Sequence, residues 1–496
     1  MPLYTDLADE LADAIRRGAL RPGERLPSVR QARASRQVSA ATVFQAYDLL
    51  ESRGLIESRP RSGFFVRAAR ASSAAEPQAA PASPEATEVS IGDLVMQVLG
   101  STRDRDVVPL GSAFPSPRLF PLRELARCGA RALRALDPDR LLEDLSAGNE
   151  RLRHQIARRQ ALAGIAVDPD EIVITHGAME ALDLSLRLLT RPGDIVAVES
   201  PTFYAALQAL ERHGLRAVEL PTDPRDGVDP DALARVLERH RVAACWLMPN
   251  FQNPLGSLMP EERKRALVAW LAQHGVPLIE DDVYGELHHG SRRPLPAKAF
   301  DTAGEVLHCT SFSKCLAPGY RVGWVAAGRH APALRRLKTL TSLATAVPSQ
   351  LAIAEYLAQG GFDRHLRGLR RQLAVQQAQM HAQVEALFPA GTRLARPQGG
   401  YFLWVELPEG GDSLALQAQA ATLGISLAPG ALFSASGADR RLRRGLRLNF
   451  GHAPNDARIA PALEALGRLC SPIRGTHRSG TRATAVESTT AVQTPR

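Results

Sequence analysis

Residues 72–89 read SSAAEPQAAPASPEATEV, alanine, proline, serine and glutamate with almost no large apolar side chain. Such a stretch cannot bury enough surface to build a core. It therefore splits the chain into two folding problems of unequal size. At 496 residues the chain also exceeds what one hydrophobic core usually serves. The expected layout is a small N-terminal unit over residues 1–68, a flexible linker over 69–90 and a large unit over 91–472. A smaller C-terminal part of the large unit begins at about residue 345, and a polar tail over 473–496 reads as disordered.

The large unit alternates short apolar runs with helical patterns. EIVIT (171–175), IVAVE (195–199), AACWLM (243–248), VPLIE (276–280) and VLHCT (306–310) are the runs. Buried parallel strands covered by helices have this form. GGYFLWVEL and LRRGLRLNF, within 397–470, add strand-like segments that imply a smaller α+β part. No apolar run is long enough to span a bilayer, and no charged start leads into a secretion segment. The five cysteines lack ligand spacing and their odd count argues against a disulfide scaffold. A cytoplasmic protein without membrane contact or metal site is expected.

In the small unit Leu7, Leu11, Ala14 and Ile15 share one helical face, RPGERLPS is a turn, and a second short helix follows from about Ser28. Ser39 stands where it can cap a third helix whose buried stripe is Val43, Ala46, Tyr47 and Leu50. GLIESRPRSGFFV then alternates like a two-stranded ribbon turning near Pro60–Gly63. Residues 1–70 hold twelve arginines against eight acids, a charge that favours a polyanion. Three helices and a wing in this order, with RPGERLPSVR (21–30), SAATVFQAYDLLESRGLI (39–56) and SGFFV (62–66), resemble the winged helix-turn-helix head of the GntR family. The resemblance implies binding to double-stranded DNA. Ser28 and Arg30 lie at the start of its second helix, where Arg30 would reach the backbone or a guanine, Ser39, Ala40, Ala41 and Thr42 open the recognition helix, and Arg59, Arg61 and Gly63 lie in or near the wing. Family members often carry a basic or larger polar residue where this chain has Ala40 and Ala41.

The large unit holds only four lysines. Lys264 sits in the charged run EERKR, read as a solvated face; Lys298 lies in a proline-flanked loop; Lys338 follows arginines on what reads as a surface helix. Lys314, in SFSKCLAPGYRVGW (311–324), lies among hydroxyls and beside Arg321. A lysine that forms a Schiff base needs a cofactor held by phosphate donors, a ring partner and a ring stacker. Ser311, Ser313 and Arg321 are donors, and Gly177 opens a helix whose Ala178 and Met179 amides can face a phosphate. Asp281 and Tyr284 end LIEDDVY, Asn253 sits in the turn PNFQNPLG, and Phe203, with Tyr204 as alternative, follows a strand end as ring stacker. Arg447 in LRLNF offers a planar fork to a carboxylate. Singly, each residue also has an ordinary structural use.

Together they resemble the fold-type I aminotransferases that use pyridoxal 5′-phosphate, from PLGSAFPSP (109–117) onward. The resemblance implies Lys314 as the catalytic lysine that takes the cofactor's aldehyde, Asp281 at the ring nitrogen, and Asn253 with Tyr284 at the ring hydroxyl. It also implies Ser311, Ser313 and Arg321 at the phosphate, Phe203 on the ring, Arg447 at the substrate carboxylate, and Gly111 and Ser112 bordering the substrate. The family commonly places a tyrosine before its G-x-x-x-L-R segment, where LLEDLSAGNERLR (141–153) has none. A GntR-like head joined to such a domain resembles the MocR subfamily of bacterial regulators. That resemblance implies a homodimer whose aminotransferase-like domain senses an amino compound, or the cofactor itself. The alternative is a working aminotransferase that keeps a DNA-binding head.

Overall fold

The computed structural model describes residues 3–16, 19–21, 23–52, 55–59, 62–66, 74–79, 82–99, 106–138, 147–435, 442–453 and 455–470. The head consists of α1 (Leu3–Arg16), α2 (Val29–Arg36), α3 (Ala40–Ser52), β1 (Ile56–Arg59) and β2 (Gly63–Val66). Two serines set where its helices begin. Ser28 closes a capping box with Gln31, and Ser39 Oγ accepts from the Thr42 amide at 3.1 Å. Leu7, Val43, Ala46, Tyr47, Leu50, Ile56 and Val66 fill the core between helices and ribbon. The Tyr47 hydroxyl donates to Pro27 O at 2.7 Å, which satisfies the one polar atom that this ring buries. β1 and β2 pair antiparallel with Arg59 opposite Gly63, whose φ of 96° only glycine adopts without strain.

β3 (Thr87–Glu88) precedes α4 (Gly92–Leu99), α5 (Leu122–Arg134), α6 (Glu150–Leu162), β4 (Ile172–Thr175), α7 (Ala178–Leu189), β5 (Ile195–Ser200), α8 (Tyr204–Arg212) and β6 (Arg216–Asp223). The chain continues through β7 (Gly227–Val228), α9 (Pro230–Arg239), β8 (Val242–Leu247), α10 (Glu261–Gln273), β9 (Leu278–Asp281), β10 (Val306–Ser311) and β11 (Gly323–Ala326). The sheet order is β3-β6-β5-β8-β9-β10-β11-β4, with β7 against β6. Both faces are covered: Val196 and Val198 of β5 meet Leu182 of α7 and Leu207 of α8, whereas Ala197 meets Val236 of α9 and Leu267 of α10. The five apolar runs all become parallel strands. β11, not anticipated, runs antiparallel between β10 and β4.

Beyond the sheet come α11 (Ala331–Ser342), α12 (Val347–Ala358) and the long α13 (Gly361–Leu387). A smaller antiparallel sheet, ordered β12-β13-β15-β14, is built from β12 (Arg393–Leu394), β13 (Phe402–Glu406), β14 (Ala428–Pro429) and β15 (Gly445–Asn449), with α14 (Ser413–Thr422) and α15 (Ile459–Cys470).

The stretch expected to be a flexible linker is instead laid on the large domain wherever it is described. β3 pairs with β6 at Thr87–Ala217 and Glu88–Arg216. The Leu394 amide donates to Ala75 O at 3.0 Å, Glu76 pairs with Arg225 at 2.8 Å, and the His240 ring donates to Pro84 O at 2.7 Å. Further on, the Ile91 and Gly92 amides share Glu211 Oε2 at 3.1 and 2.8 Å. Composition rightly denies this segment a core of its own. It does not stop an extended backbone from joining a sheet edge while Ala86, Val89 and Ile91 enter an existing core. The tail over 473–496 lies outside the described residues.

Candidate cofactor pocket and nucleic-acid interface

Parallel strands expose their carboxyl ends on one edge, and ligands in open α/β sheets bind there. β9 ends at Asp281, β10 at Ser311 with Lys314 three residues on, β5 leads into Phe203 and β4 into Gly177, and Asn253 follows β8. One crevice therefore gathers residues spread over more than a hundred positions.

Lys314 is half-buried, and its amine donates to Ala113 O at 2.9 Å beneath the Phe114 ring, 3.6 Å from the centroid. Burial, with Arg447 nearby and against the pull of Asp281, lowers the amine to about 7. Asp281 is buried and pushed up to about 7 by that burial, opposed by Lys314. Its Oδ1 accepts no hydrogen bond. Asn253 is fully buried, its Oδ1 taken by Arg447 Nη1 at 2.9 Å while Nδ2 has no acceptor. Arg447 is also fully buried: Nη2 donates to Gly111 O at 2.7 Å, Nε donates to nothing, and the guanidinium lies 4.2 Å from the Phe402 ring centroid. Among the described residues no carboxylate pairs with it. An unneutralised buried guanidinium is costly, and an anion entering beside it would offset that cost.

Tyr284 is buried edge-on to Tyr401 at 5.4 Å, and burial raises its phenol well above the ordinary range. Phe203 caps α8 and lies 4.9 Å from Tyr204, so both stacker candidates border the crevice. Ser311 and Ser313 are buried; Arg321 Nη1 donates to Ser313 Oγ at 3.2 Å and Nη2 to His176 O at 3.0 Å. Ala178 and Met179 open α7, where first-turn amides lack intrahelical acceptors. A Cβ on Gly323 would come within 2.5 Å of Gly177 C, and one on Gly177 within 2.5 Å of Arg321 Nη2. These glycines keep open a cradle lined with N–H and hydroxyl donors. Gly111 packs so closely that a Cβ would meet Leu427 C at 2.4 Å; Ser112 O accepts from Asn449 Nδ2 at 2.9 Å.

Of the other lysines, Lys264 and Lys338 differ from their sequence reading. Lys264 is fully buried, bonded to Asn250 Oδ1 and to Leu295 O, and burial lowers it to about 8. Lys298 is buried against Asp301 at 2.9 Å, and Lys338 is fully buried against Glu180 at 3.0 Å. Neighbouring arginines suggested solvent, yet the helical period turned Lys264 and Lys338 inward. Each has a fixed structural partner, which leaves Lys314 as the lysine facing the crevice. Tyr401, whose hydroxyl donates to Ala113 O at 3.0 Å, and Phe114 were missed. Both lie within glycine-bearing stretches, GGYF and PLGSAF, and an aromatic beside such glycines was the available signal.

On the head, the Ser28 and Ser39 hydroxyls are engaged as caps, Arg30 and Ala41 are exposed, and Ala40 and Thr42 are half-buried. A Cβ on Gly63 would lie 3.4 Å from the Arg25 guanidinium. Arg59 ends β1, and Arg61 lies outside the described residues. Phe44, which the sequence reading passed over, is 52% exposed on α3.

Bacterial regulatory proteins of the gntR family match residues 3–66, and aminotransferase class I and II matches residues 133–466. The HTH-type transcriptional regulator YdcR of Escherichia coli (strain K12) is 48% identical over 88% of this chain and 92% of its own length. The chain belongs to the MocR-type GntR regulators. A second such regulator, YjiR of the same organism, is 40% identical over 94% of the chain and 98% of its own. The aminotransferase half of this MocR-type chain superimposes on a kynurenine aminotransferase of Pyrococcus horikoshii with a TM-score of 0.70 and 30% identity. That match covers 76% of the chain and 94% of the enzyme. Fold-type I homology implies use of pyridoxal 5′-phosphate, and the winged head implies DNA binding. The segment without the family's tyrosine falls partly outside the described residues, at 141–146. Among the described residues no helix is long and apolar enough to cross a membrane, and no acid, histidine or cysteine cluster suits a metal.

Proposed function

We propose that this regulator holds pyridoxal 5′-phosphate at Lys314 and adjusts its hold on DNA when an amino compound with a carboxylate enters the pocket. The observation that carries this reading is the set of unmet valences in one crevice: Asp281 Oδ1, Asn253 Nδ2, Arg447 Nε and a lysine amine without a carboxylate partner. The bound cofactor supplies an aldehyde for amines and a ring that withdraws electrons. The chain's own groups fit it. Asp281 would hold a proton on the ring nitrogen, and Asn253 with Tyr284 the ring oxygen. Ser311, Ser313, Arg321 and the α7 amides of Ala178 and Met179 would hold the phosphate, and Phe203 would cover the ring. An amine lowered to about 7 is substantially neutral at neutral pH and therefore nucleophilic. Arg447 would receive the carboxylate beside Gly111 and Ser112, exchanging the Gly111 and Asn253 oxygens for a charged partner.

The effector would change the restraints that Arg447 places on β15, and hence on the small sheet. The homodimer belongs to the same proposal. α7 and α11 pack together, and Met179 of α7, Leu340 of α11 and Leu343 just after it are exposed apolar side chains that a second copy would cover. DNA contact is assigned to the α3 start, Arg30 and the wing. The test records visible absorption of purified chain and of Lys314→Ala, then DNA affinity with cofactor alone and with a panel of amino acids. A lysine-dependent band with ligand-dependent affinity supports the reading; equal affinity in every ligand state sinks it.

The kinship to solved aminotransferases favours a second reading, catalysis of amino transfer. Release of a 2-oxo acid in repeated turnovers would select it.

A further inference from the structure

The exposed stripe of α3 is unusual for a surface meant to meet a polyanion. Val43, Ala46, Tyr47 and Leu50 face the head's core, so the opposite face carries Ala41, Phe44, Gln45 and Asp48, all exposed. No lysine, arginine or histidine occurs anywhere in AATVFQAYDLLES. The commonest specific contact, a basic side chain on guanine N7 and O6, is therefore not available from this helix. The positive charge stands beside it instead, on Arg30 and Arg33 of α2 and on Arg25 next to the wing glycine. Those groups suit phosphates, which position a protein without reading sequence.

Beside the polar Gln45 and Asp48, the reading surface carries a phenyl ring 52% exposed, one helical turn from an exposed methyl. Both lie in the first turns of α3, the part of a recognition helix that reaches base edges. An apolar group in the major groove has one apolar counterpart, the C5-methyl of thymine. We propose that Phe44, with Ala41, makes this head a thymine-methyl reader. The inference rests on the DNA-binding reading above and specifies its base preference.

The experiment uses the full chain loaded with pyridoxal 5′-phosphate to select duplexes from a random-sequence pool. Each thymine of a selected duplex is then replaced in turn by deoxyuridine, which removes the methyl and leaves the pairing intact. At one or two positions of each half-site, affinity should fall about fourfold per methyl lost. Phe44→Ala should bind the thymine duplex as weakly as the native chain binds the uracil duplex, and should no longer distinguish the two. Phe44→Leu should keep part of the preference. Because the ring is exposed, neither variant removes core packing, and unchanged thermal unfolding of the head checks this. Indifference to deoxyuridine at every position overturns the proposal, as does undiminished discrimination by Phe44→Ala. An altered association state in Phe44→Ala with unchanged DNA binding also overturns it, since the ring would then be a protein contact. Failure to select any duplex removes the DNA-binding reading and this inference together.

Discussion

Asp281 keeps its proton in the folded chain up to about pH 7 because burial disfavours the carboxylate more than Lys314 favours it. An unfolded aspartate releases its proton near pH 4. Between these values the folded state binds more protons, so stability contributed at this site falls as pH rises from about 4 to about 7. Lys314 has the opposite sign. Its folded amine is neutral above about 7 while the unfolded amine stays charged to about 10.4, so its contribution recovers as pH rises through that interval. In cofactor-free chain, Asp281→Asn should match the native protein below pH 4 and exceed it by up to roughly 4 kcal/mol above pH 7. Urea unfolding across pH measures that difference, and a pH-independent gap would refute it. Lys314→Ala should lose the visible absorption of the cofactor while folding normally, since the lysine makes one hydrogen bond to a backbone carbonyl and no ion pair among the described residues. At this scale the sequence was legible where chemistry sets residue type. Lys314, Asp281, Asn253 and Arg447 were picked out by the chemistry of their side chains, and the fold gathers them in one crevice. Lys264 and Lys338 were misread because burial depends on which way a helix faces, and runs such as EERKR conceal that.

Among elements, the α7 start and the β11 start meet with no space for a side chain. Gly323→Ala would drive a methyl into the Gly177 backbone, and overpacking of this kind costs about 1–3 kcal/mol. The expected result is lower thermal stability together with weaker cofactor binding, because the displaced atoms belong to the cradle proposed for the phosphate. Thermal unfolding with and without pyridoxal 5′-phosphate separates the two effects: stabilisation by the cofactor should shrink in the variant. Strand existence was readable from apolar runs, because strands buried on both faces leave no polar alternation to find. Their parallel course was readable too, whereas the return strand β11 was not. β11 is four residues, Gly323–Ala326, hidden behind the SFSKCLAPGYRVGW motif, and its antiparallel course follows from a short return after β10. β3 was illegible for another reason. Thr87 and Glu88 owe their strand geometry to the edge of β6, not to their own apolarity. Glu211→Ala would release the Ile91 and Gly92 amides that hold the end of this segment, and exchange of the β3 amides with solvent deuterium should quicken several-fold.

For the whole molecule, a DNA-binding head and an aminotransferase-like body act as one regulator only if the state of the pocket alters the head. The segment over residues 74–92 provides a physical connection. It is tied to β12 of the small sheet through Ala75 and Leu394, to β6 of the large sheet, and to α8 through Glu211. Ligand at Arg447 acts on the same small sheet, two strands from β12. Coupling requires differential contacts in two states, and these hydrogen bonds are the candidates. Cofactor plus effector should therefore change DNA affinity less in a chain carrying Leu394→Pro, which lacks the amide that bonds Ala75; a fluorescent duplex titration reads the change.

The laid-down segment also sets a length. Only seven residues separate Val66, at the end of the wing, from Ala74, where the laid-down segment is first tied to the body through Glu385. Fully extended, that leash reaches at most about 28 Å. A free eighteen-residue tether would let each head search a sphere more than twice as wide. In a homodimer the two heads are instead confined to fixed quarters around their own bodies, and the dimensions of the aminotransferase pair become the ruler that spaces the operator. Inserting about ten glycine and serine residues into the leash should leave affinity for a single half-site unchanged and blunt the penalty for mis-spaced pairs.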